Sequence, residues 1–271
     1  MTEQRSETKS KDELFDDGVA NAGSIFKRGE EVVRPCGPHS PGVHALLQHL
    51  SDQGFHGAPL PIALEPQTER LSYIHGTVPK PPYDDWFLQD EVLIEVARLL
   101  RRFHEAVKSF TPPSYSQWNT GLSDPRGKGI ICHNDVIPGN VVFDSGKPVG
   151  FIDFDFAAPG SHLWDVARSA RAWVPLDSPE STESYGLGGL NHFTRLRTFV
   201  DGYELCKRER EEIAGMLEEC NTVSETYVTS QMRAGKPSFV ALWKKYDLDT
   251  LYEKRRNWFR TEREKLAAAL A

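Results

Sequence analysis

At 271 residues, with 39% hydrophobic and 26% charged side chains, the chain has an ordinary soluble globular composition and is long enough to bury a large core in one domain or two lobes. Its formal net charge of −7 argues against a nucleic-acid partner, whose phosphates require a basic surface. No stretch approaches the roughly 18 apolar residues of a membrane span, and the four cysteines (Cys36, Cys132, Cys206 and Cys220) are scattered without metal-ligand spacing, as expected of free thiols in a reducing cytoplasm.

Residues 1–17 are polar and charged with no apolar signal core, and read as a disordered tail. Residues 18–34 read as a short hairpin with Gly18, Asn21 and Gly23 in one turn and Lys27 to Glu30 in a second, leading into a strand that carries Val32, Val33 and Arg34. From Pro41 to Phe55 the period is helical, with Val43, Leu46, Leu47 and Leu50 on one face. A strand over Leu71 to Ile74 then runs into His75, Gly76 and a proline-rich linker. Asp90 to Val107 is a strongly amphipathic helix whose core stripe is Val92, Val96, Leu99, Leu100 and Phe103.

The most informative stretch runs from Ile130 to Asp165. Asp144-Ser145-Gly146-Lys147 supplies the turn of a hairpin between Val141-Val142-Phe143 and Val149 to Ile152, which gathers His133, Asp135, Asn140 and Asp153 at strand ends and in one loop. Asn140 follows Asp135 by five residues and Asp153 follows Asn140 by thirteen, about the length of a hairpin that returns the chain to its start. Two carboxylates and an amide oxygen converging in this way suit a magnesium-nucleotide site, with Asn140 and Asp153 on Mg²⁺ and Asp135 left to accept a proton from an attacking hydroxyl. Helices follow over Leu163 to Val174, Asn191 to Glu219, Val223 to Arg233 and Asp249 to Leu270. Residues 176–230 carry 11 acidic and five basic side chains, whereas 231–271 carry five acidic and ten basic; the acidic block reads as solvated helix faces or, alternatively, as a wall for a cationic acceptor.

His133-Asn134-Asp135-Val136-Ile137-Pro138-Gly139-Asn140, Ile152-Asp153-Phe154-Asp155 and Leu163-Trp164-Asp165 together resemble the active-site signature of the aminoglycoside phosphotransferase family of the protein-kinase-like superfamily. Val32 to Pro35, Ser40 to Gly57 and Leu71 to Gly76 are similar to its bacterial subgroup of trifolitoxin immunity proteins. The resemblance implies an α+β, bilobal protein-kinase-like fold, with an antiparallel-sheet N-lobe over 18–75 and a larger, mainly helical C-lobe over 76–271. It also implies ATP or GTP as co-substrate and a hydroxylated small molecule as acceptor. On the matching positions, Ser24 in the first turn and Arg34 would face the nucleotide phosphates, and Ser72, Tyr73 and Ile74 the adenine edge. His133 would be a scaffold residue and Asp165 would buttress the catalytic loop. The usual helix glutamate that partners the phosphate-binding cation is missing, and His44 is the nearest polar candidate to orient Arg34. Two other classes stay open: a binding or immunity module without turnover, and nucleotidyl rather than phosphoryl transfer.

Overall fold

Antiparallel strands and one helix make the first half of the molecule, and helices make most of the second. The computed structural model describes residues 13–15, 24–174 and 176–271. The expected turn residues Gly18, Asn21 and Gly23 lie outside them, as does most of the expected tail. Glu13–Phe15, placed in that tail by the sequence, instead forms strand β1 against β2, Ile25–Arg28.

Gly29 at φ +60° lets β2 turn back into β3, Glu31–Pro35. Helix α1 (Ser40–Asp52) follows, with Pro41 in its first turn, and β4 (Pro61–Leu64) and β5 (Thr68–Ser72) complete a sheet of order β1-β2-β3-β5-β4. In the β3–β5 ladder Arg34 stands directly opposite Glu69, which places both side chains on one face. The chain leaves this lobe through His75 and Gly76, and Thr77 and Phe143 then exchange backbone hydrogen bonds of 2.8 Å each.

Helix α2 (Asp90–Val107) has the bounds its periodicity predicts, and Leu93, Val96, Leu100 and Phe103 are fully buried at the centre of the core. Each such side chain contributes about 1.5–3 kcal/mol by leaving water. Strand β6 (Ile130–Cys132) leads into the loop bearing Asp135, and β7 (Val141–Asp144) and β8 (Lys147–Phe151) form the expected hairpin. Its two turn residues, Ser145 and Gly146, both have positive φ, the geometry that matches strand twist in a two-residue turn. Strand β9 (Ala158–Gly160) then pairs with β6, so the segment after Asp153 is stitched back to the strand before Asp135.

The remaining helices are α3 (His162–Trp173), α4 (Pro179–Ser184), α5 (His192–Tyr203), α6 (Lys207–Arg233), α7 (Pro237–Tyr246) and α8 (Leu248–Leu270). The expected break near residue 220 falls instead at Glu204 to Cys206. Glu204 adopts φ +65° there, and the Glu209 carboxylate accepts the Cys206 N–H to start α6. The acidic block is no open wall. Glu218 pairs with Arg263 at 2.6 Å, Glu225 with Arg256, and Asp177 with Arg255 at 2.5 Å, so the basic terminal helix α8 neutralises much of it. Cys36, Cys132, Cys206 and Cys220 are free thiols, and no helix among the described residues is long and apolar enough to cross a membrane.

A Cβ on Gly76 (φ +145°) would lie 2.4 Å from the carbonyl oxygen of Phe143 and 2.6 Å from Val142. Gly76→Ala is therefore expected to cost about 1–3 kcal/mol and to lower the melting temperature by at least about 2 °C; a melting curve superimposed on that of wild type would contradict this reading of the crossing point.

Candidate active site

The loop after β6 turns sharply because Asn134 takes φ +63°, and its neighbours hold it there. Asp165, fully buried in the first turn of α3, accepts the backbone N–H groups of His133 (2.8 Å) and Asn134 (2.9 Å) and sits 3.0 Å from His104 Nε2. The Asn134 side chain donates to the carbonyl of Phe156 at 2.9 Å, Arg168 Nε donates to the carbonyl of Asn134, and Trp173 Nε1 donates to that of Val136 at 2.8 Å. His133 Nε2 donates to the carbonyl of Ile152 at 3.1 Å while its Nδ1 accepts the N–H of Asp135 at 3.3 Å. Burial lowers the pKa of both His133 and His104, and Asp165 stays below its ordinary value because bonds from His104 and the loop outweigh burial. His104, Cys132 and Asp165 bring ligand atoms within 4.8 Å of one another, yet both oxygens of Asp165 are taken by N–H donors and burial drives the Cys132 thiol well up. This trio is a hydrogen-bonded buttress, not a metal centre.

Asp135, Asn140 and Asp153 do meet. Asn140 Nδ2 donates to both the carbonyl and the Oδ2 of Asp135, each at 2.9 Å, which turns its own Oδ1 away as a free acceptor. Burial raises the Asp135 pKa against the pull of Arg168, whose Nη2 is 4.0 Å from Oδ1. Asp153 enters the same space at φ +61°, the left-handed corner that ends β8. The surrounding protein, then Asp155 and Asp135, push it up to about 7 against Arg34, although its carboxylate is still 48% exposed toward the cleft. Oxygen donors crowded until one carboxylate retains its proton near neutrality are the chemistry a hard divalent cation would relieve.

Arg34, 7% exposed, reaches from β3 across the cleft. Its guanidinium lies 3.0 Å from Glu69, 2.7 Å from Asp155 and 3.6 Å from Asp153. The expected orientation of Arg34 by His44 is thus indirect. His44 Nε2 is 2.8 Å from the second oxygen of Glu69, and Ser40 donates to the first at 3.0 Å. Glu69 fills from a strand the place of the absent helix glutamate. Among the hinge candidates, the Ser72 N–H goes to Leu60 and the Tyr73 N–H to Glu30, so sheet pairing has consumed both and only Ile74 keeps its backbone outside these bonds. Ser24 stands in a bend before β2. Sequence reasoning also missed Tyr227 of α6, whose phenol titrates upward through burial and then the charges of Asp135 and Asp155, so it lies against the site. The signal available was an aromatic on a helix with no periodic core stripe around it.

This sheet-and-helix pair of lobes with a loop-hairpin-helix site between them is a protein-kinase-like fold. A choline/ethanolamine kinase family protein from Mesorhizobium loti superposes with a TM-score of 0.65 at 14% identity, covering 98% of this chain and 94% of that one. The GDP complex of aminoglycoside 2'-phosphotransferase-IIIa gives 0.63 at 14% identity, covering 93% and 94%. The family model described as "Phosphotransferase enzyme family" matches residues 117–199, and the trifolitoxin immunity protein of Rhizobium leguminosarum bv. trifolii is 30% identical over 260 residues, 92% of this chain and 95% of that protein. The chain belongs to the aminoglycoside phosphotransferase family, in the subgroup of that immunity protein.

With a folded pKa of about 7 against an ordinary 3.8, the contribution of Asp153 to stability is fully present below about pH 4 and lost as the pH rises through 7. In a chelating buffer Asp153→Asn, which cannot ionise, is expected to flatten this part of the pH profile and to melt about 2 °C or more above wild type at pH 8. Identical pH profiles for the two proteins would remove the crowded-carboxylate argument.

Proposed function

We propose that the protein transfers the γ-phosphoryl group of a magnesium nucleoside triphosphate to a hydroxyl of a small molecule. The observation that carries this reading is the convergence of Asp135, Asn140 and Asp153 on one cleft into which Arg34 reaches from the opposite lobe. Asn140 holds Oδ2 of Asp135, leaving Oδ1 to receive the acceptor hydroxyl and orient its oxygen. The oxygen–phosphorus bond forms as the bond to the departing nucleoside diphosphate breaks, and the proton passes to Asp135, whose raised pKa makes it a better proton acceptor than an ordinary aspartate. Asn140 Oδ1 and Asp153 would hold Mg²⁺, which when bound neutralises phosphate charge. Arg34, freed in part from Asp155, would meet the phosphates, with Glu69 and His44 keeping its guanidinium in place. The backbone at Ile74 is the remaining candidate among the three for the base edge.

A small acceptor fits because only Ala157 to Ser161 separate the 3₁₀ turn after Asp153 from α3, and three of those residues are committed to β9. No room is left there for a platform that docks a peptide. A second reading, an immunity protein that binds without turnover, is favoured by the likeness to the trifolitoxin immunity protein.

Asp135→Ala is expected to leave nucleotide affinity near wild type while lowering turnover about 100-fold or more, measured as phosphorylated product by mass spectrometry against a panel of hydroxylated compounds. Full turnover in the variant would rule out the base assignment, and no turnover in wild type with any acceptor would favour the immunity reading. Asp153→Asn should abolish the magnesium-dependent part of nucleotide stabilisation in a thermal-shift assay, and an undiminished shift would take Asp153 out of the metal role.

A further inference from the structure

Behind Asp135 the charges run in the sense opposite to the acidic wall considered from the sequence. Arg168 and Arg171 project from the same face of α3, one turn apart. Arg168 Nη1 donates to Ser224 Oγ at 3.1 Å and Arg171 Nη2 reaches the same oxygen at 3.4 Å, so one hydroxyl of α6 bridges the two guanidinium groups. Arg255 of α8 lies close enough for its charge to act on Arg171.

The carboxylates do not balance this cluster. Asp177 is engaged by Arg255 at 2.5 Å, Glu225 by Arg256, and Asp135 stands 4.0 Å from Arg168. Among the described residues Arg171 has no carboxylate partner. Its Nη1 donates to the neutral amide oxygen of Asn221 at 3.0 Å, and its Nε is buried without an acceptor. The other titratable groups near it supply no charge: Cys220 is pushed up to about 12 by burial, and burial also raises Tyr185 and Tyr252. Burial, then Arg168 and Arg255, bring Arg171 itself down to about 9, so it stays a cation at neutral pH. A cation removed from water with no counter-charge is costly to keep. Arg171 is only partly buried, so an incoming group can reach it.

We propose that Arg168, Arg171 and Ser224 form the acceptor subsite and that the acceptor bears an oxyanion, a carboxylate or a phosphate, beside the hydroxyl presented to Asp135. Two planar donor forks joined through one hydroxyl match the paired oxygens of such a group, which a primary amine cannot do. Arg168 stands between that anion and the carboxylate of Asp135 and screens their repulsion. The subsite rests on the phosphotransferase reading for its name as an acceptor site, but its anion binding is independent of turnover. It departs from the expectation of a cationic antibiotic.

The test uses the full chain and four small probes at constant ionic strength: malate, glycerol 1-phosphate, glycerol and choline. Malate or glycerol 1-phosphate is expected to raise the melting temperature of wild type in a saturable manner, and which of the two does so identifies the oxyanion; glycerol and choline are expected to be without effect. Arg171→Met should weaken the anion at least tenfold while melting no lower than wild type without anion, because it removes an uncompensated charge. Arg171→Lys should keep part of the response. Stabilisation by choline equal to that by the anions, or an anion response that survives in Arg171→Met, would overturn the proposal. Magnesium-dependent turnover of wild type is measured separately: an Arg171-dependent anion shift without turnover leaves the anion subsite standing and sinks the phosphotransferase reading, whereas turnover without any anion shift does the reverse.

Discussion

The carboxylate of Asp165 accepts two successive backbone N–H groups of the loop that carries Asp135, and a third N–H from His104 on α2. Those bonds force the left-handed turn at Asn134, and that turn aims Asp135 into the cleft. Because Asp165 is wholly buried, losing its donors would leave a charge stranded in the core at a cost of about 3–5 kcal/mol. The loop is therefore as rigid as the helix that holds it. The network continues outward: His104 Nδ1 faces the hydroxyl of Tyr203 at 2.6 Å, so α2, α3 and α5 share one polar spine within an apolar core.

Arg34 plays the corresponding part between the lobes. Its pairing with Glu69 is built into the β3–β5 register, and its contacts with Asp153 and Asp155 join the sheet to the helical lobe. A glutamate from a neighbouring strand can stand in for one from a helix because what matters is a buried acceptor at hydrogen-bond distance from the cation. Ser40 and His44 show that α1 still contributes, one step removed, by holding Glu69. Arg34 thus touches both the lobe that would cover a nucleotide and the carboxylates that would hold its metal.

How much of this could be read from the residues alone follows from the range of the forces involved. Helix α2 was legible to the residue because an eighteen-residue apolar stripe with an acidic start is a local signal, and the β7–β8 hairpin because Ser145-Gly146 tolerates positive φ. The convergence of Asp135, Asn140 and Asp153 was legible because a hairpin fixes where the chain returns. Glu69 was not, since a glutamate in a strand declares its partner only when the register is known. The break between α5 and α6 was hidden for a related reason, as Glu204 gives no sequence sign of a left-handed residue. The acidic block misled because its partners lie on α8, dozens of residues away. Ser72 and Tyr73 failed as hinge donors because a sequence does not tell which strand residues have already spent their N–H groups.

The pairing of β6 with β9 carries a consequence for control. Protein kinases hold a long, loose flap at this point of the chain and toggle it by attaching phosphate; here the corresponding stretch is a few residues sewn into a two-stranded ribbon. With no slack to release and none to fasten, the cleft stands permanently cocked, and its output is governed by what diffuses into it.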